Sequence, residues 1–147
     1  MHIIQIPRRL PLVLPPPRPL HRNRSSPFSS MNFIRQFFSK PSPEAMSAAK
    51  TKAQKIIDDN AVAVFSKSYC PYCNASKKLL DSMGAKYFLI ELDQVSDGAA
   101  IQSALAELSG QTTVPNIYIG QKHIGGNSDL QAKSGELKAL LKEVGAA

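Results

Sequence analysis

The chain has 147 residues, a length that fits one compact domain of about 100 residues with an appendage. Its formal net charge of +7 is unevenly distributed, because residues 1–43 hold six arginines, one lysine and no acidic residue, whereas residues 44–147 hold eleven lysines against eleven acidic residues. The second part is therefore neutral, which argues against nucleic-acid binding, and no stretch approaches the ~18 consecutive apolar residues of a membrane-spanning helix.

The first 43 residues have the composition of an extension. They contain nine of the eleven prolines, including the run LPPPRPL, together with all six arginines and several serines. A segment of this kind cannot bury enough apolar surface to form a core. We therefore expect a disordered N-terminal extension at residues 1–43 and a folded domain at residues 44–147.

Two interpretations of the extension are open, a disordered tail and a mitochondrial targeting segment. Targeting segments are rich in Arg and Ser and poor in acidic residues, and in MNFIRQFFSK, residues 31–40, four apolar side chains share one helical face. We favour targeting to the mitochondrial matrix. A secretory signal fits poorly, since the apolar run near the start is short and interrupted by prolines. Met31 and Met46 could also serve as internal starts, so a cytoplasmic form beginning near Met46 is a further hypothesis.

Helical and strand patterns alternate from Ser47 onward. A helix with Ser47 as N-cap precedes a buried strand at residues 61–66, and a helix from Pro71 to a stop at Gly84 precedes a strand at 86–93. A third helix at 97–108, capped by Asp97, leads to a hairpin with strands near 116–119 and 122–124, followed by helices at 128–134 and 136–144. Alternating strands and helices imply a parallel, crossover-connected pair, and the hairpin adds an antiparallel edge. The fold class is therefore α/β, with a small mixed sheet between helices.

The only two cysteines, Cys70 and Cys73, lie two residues apart at the predicted turn from strand to helix. A disulfide between them would close too small a loop to stabilise a fold. The only other Cys or His residues are His2, His21 and His123, which leaves no complete structural zinc site within one chain. A chemical role is favoured over two inert buried thiols.

Cys70 stands just before the predicted helix, where the N–H groups of Tyr72 and Cys73 are free, and Pro71 suits the first helical position. Cysteines at such sites can have a pKa of roughly 3.5–7.5 in place of 8.5. A three-unit change requires about 4 kcal/mol, of which the helix dipole supplies at most about 2 and hydrogen bonds to the anion about 1.5–3 each. We predict Cys70 as an exposed, ionised nucleophile, with Lys67 as a nearby cation and Cys73 as a less exposed, protonated resolving thiol.

Three motifs together resemble the glutaredoxin family, within the thioredoxin-like fold. CPYC at 70–73, TVPNIYI at 113–119 and GGNSDL at 125–130 occur in the family's order and approximate spacing, and the resemblance covers about residues 47–144. It is to dithiol members of fungal type. It implies a three-layer α/β/α domain with a four-stranded mixed sheet, and a glutathione-dependent thiol-disulfide oxidoreductase that acts on glutathione mixed disulfides and protein disulfides. Glutathione would be a co-substrate recycled by a separate glutathione reductase, with no tightly bound cofactor, and we expect a monomer.

The resemblance also implies a glutathione site. Val114, before a cis Pro115, would pair with the peptide part of glutathione like an added strand. Gly126 and the helix that begins near Ser128 would present N–H groups to the γ-glutamyl carboxylate, and Asp129 would face its ammonium. Lys67 and Gln102 would contact the glycyl carboxylate, and Tyr72 would pack against the bound thiol. The predicted site consists of Lys67, Tyr72, Gln102, Thr113, Val114, Pro115, Gly126, Ser128 and Asp129, and His123 is predicted to be a surface residue.

One position departs from the family pattern. Many members have a basic residue directly before Thr-Val-Pro, but this chain has Thr112, so we expect adequate rather than tight glutathione binding. Two alternatives are open. A thioredoxin-type reductase usually has Trp-Cys-Gly-Pro-Cys, whereas this chain contains no tryptophan. An iron–sulfur carrier would share a cluster between two subunits through Cys70 and glutathione, but such members generally have Gly or Ser where this chain has Pro71.

Overall fold

The computed structural model describes residues 41–147. Residues 1–40 lie outside the described residues. They include most of the predicted extension and the predicted apolar helical face at 31–40, on which the targeting interpretation depends. From residue 41 onward, helices and strands follow in the predicted order. They are α1 (Pro43–Asp59), β1 (Val62–Ser66), α2 (Pro71–Ser82), β2 (Phe88–Glu91), α3 (Gly98–Ser109), β3 (Asn116–Ile119), β4 (Lys122–Gly125), α4 (Asn127–Ala132) and α5 (Ser134–Glu143).

Of the two predicted helix caps, Ser47 was wrong, whereas Asp97 is the N-cap residue of α3 as predicted but makes no cap hydrogen bond through its side chain. Ser42, not Ser47, is the N-cap of α1: its side chain accepts a hydrogen bond from the Ala45 N–H at 3.2 Å. Pro43 then occupies the first helical position, which suits a residue without an N–H. Asp97 makes no side-chain cap on α3, because its carboxylate accepts a hydrogen bond from Lys52 Nζ at 2.7 Å. The Asp97 side chain therefore bonds to Lys52 of α1 instead of to the backbone at the start of its own helix.

The four strands form one mixed sheet in the order β2-β1-β3-β4. β1 runs parallel to β2 and antiparallel to β3, and β3 pairs with β4 in a hairpin. The hairpin turns at Gly120 and Gln121, which have φ of 56° and 67°, as a tight two-residue turn with left-handed backbone requires. The predicted fold class is confirmed, although β2 is shorter than the 86–93 segment.

Each face of the sheet is covered by its own core. Ala63 and Phe65 of β1 pack with α1 and α3 on one face, and Val62 and Val64 pack with α2, α4 and α5 on the other. Every residue of β1 is buried, which explains why this strand reads as a continuous apolar run. The domain therefore has three layers, α/β/α. Within residues 41–147, none of the helices combines the length and apolar character needed to cross a membrane.

The sheet also brings two distant parts of the sequence together. Because β1 and β3 are antiparallel, with Phe65 opposite Asn116, the end of β1 lies beside the start of β3. Cys70 follows the first of these ends and Pro115 precedes the second. The topology thus places the CPYC and TVP motifs side by side at the same end of the sheet.

Candidate functional site

Cys70 is the N-cap residue of α2. Its extended backbone (φ −84°, ψ 118°) places its sulfur where it accepts a hydrogen bond from the Cys73 N–H at 3.4 Å. Pro71 takes the first helical position and Asn74 N–H donates to the Cys70 carbonyl at 3.1 Å. The thiol is free and half-buried. Of the two predicted N–H donors, that of Cys73 is the one in hydrogen-bonding geometry with the sulfur, and an amide so placed stabilises negative charge on it.

Cys73 lies one helical turn further on and has no exposed surface. Burial raises the pKa of the Cys73 thiol above its ordinary value, because a thiolate there would lose its hydration. Cys73 is therefore protonated near neutral pH. The two thiols of one short motif thus have different environments: Cys70 is half-buried, where an exposed residue was predicted, and Cys73 behind it is fully buried, as predicted.

The second component of the site is the loop before β3. The Val114–Pro115 peptide bond is cis, as the resemblance implied, and Pro115 is buried. The Val114 carbonyl oxygen lies 3.9 Å from the Cys70 sulfur. The backbone of Val114 is therefore next to the reactive thiol.

The third component is the turn from β4 into α4. Asp129 Oδ2 accepts a hydrogen bond from the Gly126 N–H at 2.9 Å, which fixes the carboxylate at the start of α4. Gly125 has a φ of 121° and packs so closely on this carboxylate that a Cβ there would overlap Asp129. Only glycine fits both the backbone conformation and the space.

A groove of about 520 Å³ lies between the second and third components and Tyr72 of α2, and neither cysteine is among its lining residues. Seven of the nine predicted glutathione-site residues line it: Tyr72, Thr113, Val114, Pro115, Gly126, Ser128 and Asp129. Lys67 and Gln102 are not among the lining residues. The Lys67 carbonyl accepts a hydrogen bond from Cys70 N–H at 3.1 Å, and Gln102 Nε2 donates to the Thr112 carbonyl at 2.8 Å. Their predicted contacts with a ligand stay predictions.

Sequence reasoning missed two residues that line the groove, Gln111 and Asn127. Asn127 Oδ1 accepts a hydrogen bond from the buried Ser76 hydroxyl of α2 at 3.0 Å, which joins the start of α4 to the helix that carries both cysteines. Its position inside the GGNSDL motif was a usable signal. Gln111 had no such signal, since its contacts depend on how the loop folds.

The turn that carries Cys70 is held by Asp93, which follows β2. The Asp93 carboxylate accepts hydrogen bonds from the Ser68 hydroxyl, from the Ser68 N–H at 2.8 Å and from Gln94 Nε2 at 2.7 Å. These bonds, first among them that of the Ser68 hydroxyl, lower the pKa of Asp93 to about 2. No motif in the sequence indicates this contact between two loops.

Replacing Asp93 by asparagine should therefore lower stability in a pH-dependent way. The folded-state pKa of about 2 lies below the ordinary value of 3.8, so the carboxylate stabilises the fold above about pH 4 and this contribution is lost as the pH falls toward 2. Urea unfolding at a series of pH values should show a difference between wild type and Asp93→Asn that shrinks across this window. Ser68→Ala should behave alike. A difference that is constant from pH 7 to pH 2 would contradict this assignment.

Gly125→Ala should destabilise the domain by about 1–3 kcal/mol, because the methyl group must displace the Asp129 carboxylate and the backbone strain of a positive φ is added. Thermal or urea unfolding would measure this. Gly135→Ala is the matched control, since Gly135 lies in α5 with open space around its Cα and without a positive φ. Equal stability of the two variants would contradict the proposed packing.

Comparison with known proteins gives a consistent result. The sequence profile of the family named Glutaredoxin matches residues 62–124. A glutaredoxin of Ricinus communis is 58% identical over 100 residues, which cover 67% of this chain and 98% of the relative, and glutaredoxin-1 of Saccharomyces cerevisiae is 46% identical over 95 residues, 60% of this chain and 86% of the relative. Among solved structures, a buckwheat glutaredoxin–glutathione complex is 51% identical with a TM-score of 0.70, covering 72% of this chain and 98% of that one. Identity to the plant protein thus exceeds identity to the fungal one.

In the described range, residues 41–147, no three or more His, Cys, Asp or Glu side chains are grouped so that they could hold a metal ion.

Proposed function

Since the chain belongs to the glutaredoxin family and is a thiol oxidoreductase, we propose that it reduces glutathione mixed disulfides through Cys70 and protein disulfides through Cys70 and Cys73. One observation carries the proposal. The accessible Cys70 sulfur, which accepts the Cys73 N–H, lies 3.9 Å from the Val114 carbonyl at the groove that leads to Asp129. A nucleophile and a peptide-sized site are thus adjacent.

The proposed reaction has two displacement steps. The Cys70 thiolate attacks the glutathionyl sulfur of a mixed disulfide, the substrate thiolate leaves and takes up a proton, and Cys70 becomes joined to glutathione. The thiolate of a second glutathione then attacks the glutathionyl sulfur, which releases the Cys70 thiolate and oxidised glutathione. An NADPH-dependent glutathione reductase would return the oxidised glutathione to its thiol form. An amide that stabilises the Cys70 anion assists both steps, since it favours the attacking and the leaving form of the same sulfur.

The groove fits the shape and charge of a glutathionyl group. The Val114 backbone beside Cys70 would pair with the cysteinyl peptide of glutathione as an added strand. Gly126 and Ser128 would receive the γ-glutamyl carboxylate, and Asp129, already fixed by the Gly126 N–H, would accept a bond from the ammonium. Tyr72, of which 67% is exposed, would cover the bound thiol. The buckwheat relative was solved as a glutathione complex, which supports this ligand for the present chain.

The choice of reducing system tests the proposal. Purified protein should reduce a glutathionylated peptide with glutathione, glutathione reductase and NADPH, and the rate should fall to background without glutathione. Substitution of a thioredoxin reductase for the glutathione system should leave background activity only. Turnover with the flavoprotein and without glutathione would favour the thioredoxin-type alternative, and an inactive protein in both systems would overturn the proposal.

Thr112→Lys should lower the KM for glutathione by about 2- to 5-fold, since a cation before Thr113 would attract the glycyl carboxylate by ~0.5–1 kcal/mol at this exposed position. The gain should decrease with salt. Thr112→Gln is the matched control, because it adds length without charge and should leave the KM unchanged. Steady-state kinetics at two ionic strengths would measure this, and an equal effect of both variants would contradict the electrostatic explanation.

We also propose that the extension directs the protein to the mitochondrial matrix, because its arginines and serines are unaccompanied by acidic residues through residue 43. A second form beginning near Met46 would then lack this signal. N-terminal sequencing of the protein from separated mitochondria and cytosol tests both statements. Recovery of uncleaved full-length protein from the cytosol alone would overturn them.

A further inference from the structure

Gln111, which lines the groove, joins the loop before β3 to strand β4. Its Nε2 donates hydrogen bonds to the carbonyls of Thr113 at 3.1 Å and Pro115 at 2.7 Å, and its Oε1 lies 3.2 Å from His123 Nε2 on β4. We propose that Gln111 is a positioning residue for the reaction: its carboxamide holds the Thr113–Pro115 segment in the orientation that presents Val114 to glutathione beside Cys70. This inference rests on the proposed function.

The hydrogen-bonding capacity of the carboxamide defines its orientation. Its two N–H hydrogens match the two backbone carbonyls, and its oxygen remains for the His123 ring, which must then donate through a protonated Nε2. A flipped amide would place its oxygen against two carbonyl oxygens and its NH₂ group against an N–H. The three partners therefore specify one rotamer of a half-buried side chain.

His123 is suited to this role because it is itself held. Its ring packs on Tyr118 with centroids 5.2 Å apart and planes at 54°. Partial burial lowers the pKa of His123, and the nearby Asp129 carboxylate opposes this effect. The ring is thus neutral near pH 7, with one N–H available for Gln111 Oε1. His123 is an exposed residue, as predicted, and it also contacts the groove residue Gln111.

The contacts of Gln111 bear directly on the substrate path. The two carbonyls that it binds belong to the residues on either side of Val114, whose own carbonyl lies 3.9 Å from the Cys70 sulfur. The Gln111 side chain also lies close to Gly126 at the start of α4. A Cβ placed on Gly126 would be 3.7 Å from Gln111 Nε2 and 3.7 Å from the Pro115 carbonyl oxygen. A shift of Gln111 would change the position of Val114 relative to both Cys70 and Asp129.

Two variants test the inference. Gln111→Met keeps the length and removes all three hydrogen bonds, and Gln111→Glu keeps the shape but places an acceptor-only carboxylate against two carbonyls. We expect the KM for glutathione to rise about 5- to 20-fold in Gln111→Met and further in Gln111→Glu, with kcat changed less than about 2-fold. Gln54→Met, on the exposed surface of α1, is the matched control and should leave both constants unchanged.

Amide hydrogen exchange measured by NMR provides a readout that does not depend on activity. Exchange at the amides of residues 112–114 and 116 should accelerate about 10-fold in Gln111→Met, while β1 keeps its wild-type protection. If the wild-type protein shows no glutathione-dependent turnover, the proposed function is wrong, and so is the role of Gln111 as a positioning residue in that reaction. Hydrogen exchange would then still test whether Gln111 holds the loop. With active wild type, an unchanged KM in both variants, or equal losses in kcat, KM and global stability, would overturn the inference.

Discussion

Replacing Cys70 by serine is expected to lower kcat/KM for a glutathionylated peptide by about 10³-fold or more, because a hydroxyl at this position cannot supply the sulfur nucleophile. The substitution should leave the fold intact, since the hydroxyl can accept the same Cys73 N–H that the sulfur accepts at 3.4 Å and can cap α2. The coupled assay with glutathione reductase measures the activity, and thermal unfolding verifies the fold. Both disulfide substrates should be affected alike.

Residual activity of Cys70→Ser within 10-fold of wild type would contradict the assignment of the nucleophile. Tyr72→Phe is a useful companion, because it changes an exposed neighbour of the cysteines without touching either sulfur. It should retain most of the activity. A loss in Tyr72→Phe as large as that in Cys70→Ser would show that the coupled assay reports binding rather than the displacement step.

Cys73→Ser is expected to separate the two activities. Reduction of glutathione mixed disulfides requires Cys70 alone and should stay within about 3-fold of wild type, whereas reduction of a protein disulfide requires a second thiol and should fall by about 100-fold or more. The buried position of Cys73 gives the physical reason. Its thiol is kept protonated by burial. It is needed only after a mixed disulfide has formed on Cys70, one helical turn away, which it then attacks.

The comparison should use the same variant on two substrates, a glutathionylated peptide and a small disulfide-bonded protein. The ratio of the two rates does not depend on the folded fraction of the variant. It therefore measures directly how much each activity depends on Cys73. Near-complete loss of both activities in Cys73→Ser would contradict the proposed roles. Full retention of both would show that protein disulfides are reduced by glutathione through Cys70 alone.

Much of the fold could be predicted because its signals are local. β1 is buried on both faces and reads as an apolar run, and Pro71 after Cys70 marks the start of α2. The hairpin turn at Gly120 and Gln121 is predicted by its short spacer. The α1 start was wrong because Ser42 and Ser47 are both acceptable caps. Pro43 was the deciding signal, since proline fits the first turn of a helix much better than its interior.

The site was predictable where a motif carries it and unpredictable where loops meet. CPYC, TVP and GGNSDL supplied seven residues that line the groove. The contact of Asp93 with Ser68 joins the ends of two parallel strands, and the contact of Gln111 with His123 joins a loop to a hairpin. Such hydrogen bonds between polar side chains depend on distances set by the whole sheet. No spacing in the chain encodes them.

The proposed reaction requires that glutathione become joined to Cys70 beside Val114. Peptide mapping by mass spectrometry of Cys73→Ser protein, after reaction with a glutathionylated peptide and acid quenching, tests this most directly. We expect one glutathionyl adduct, on Cys70, which disappears when reduced glutathione is added. Release of the peptide thiol by a protein that never carries glutathione on Cys70 would contradict it.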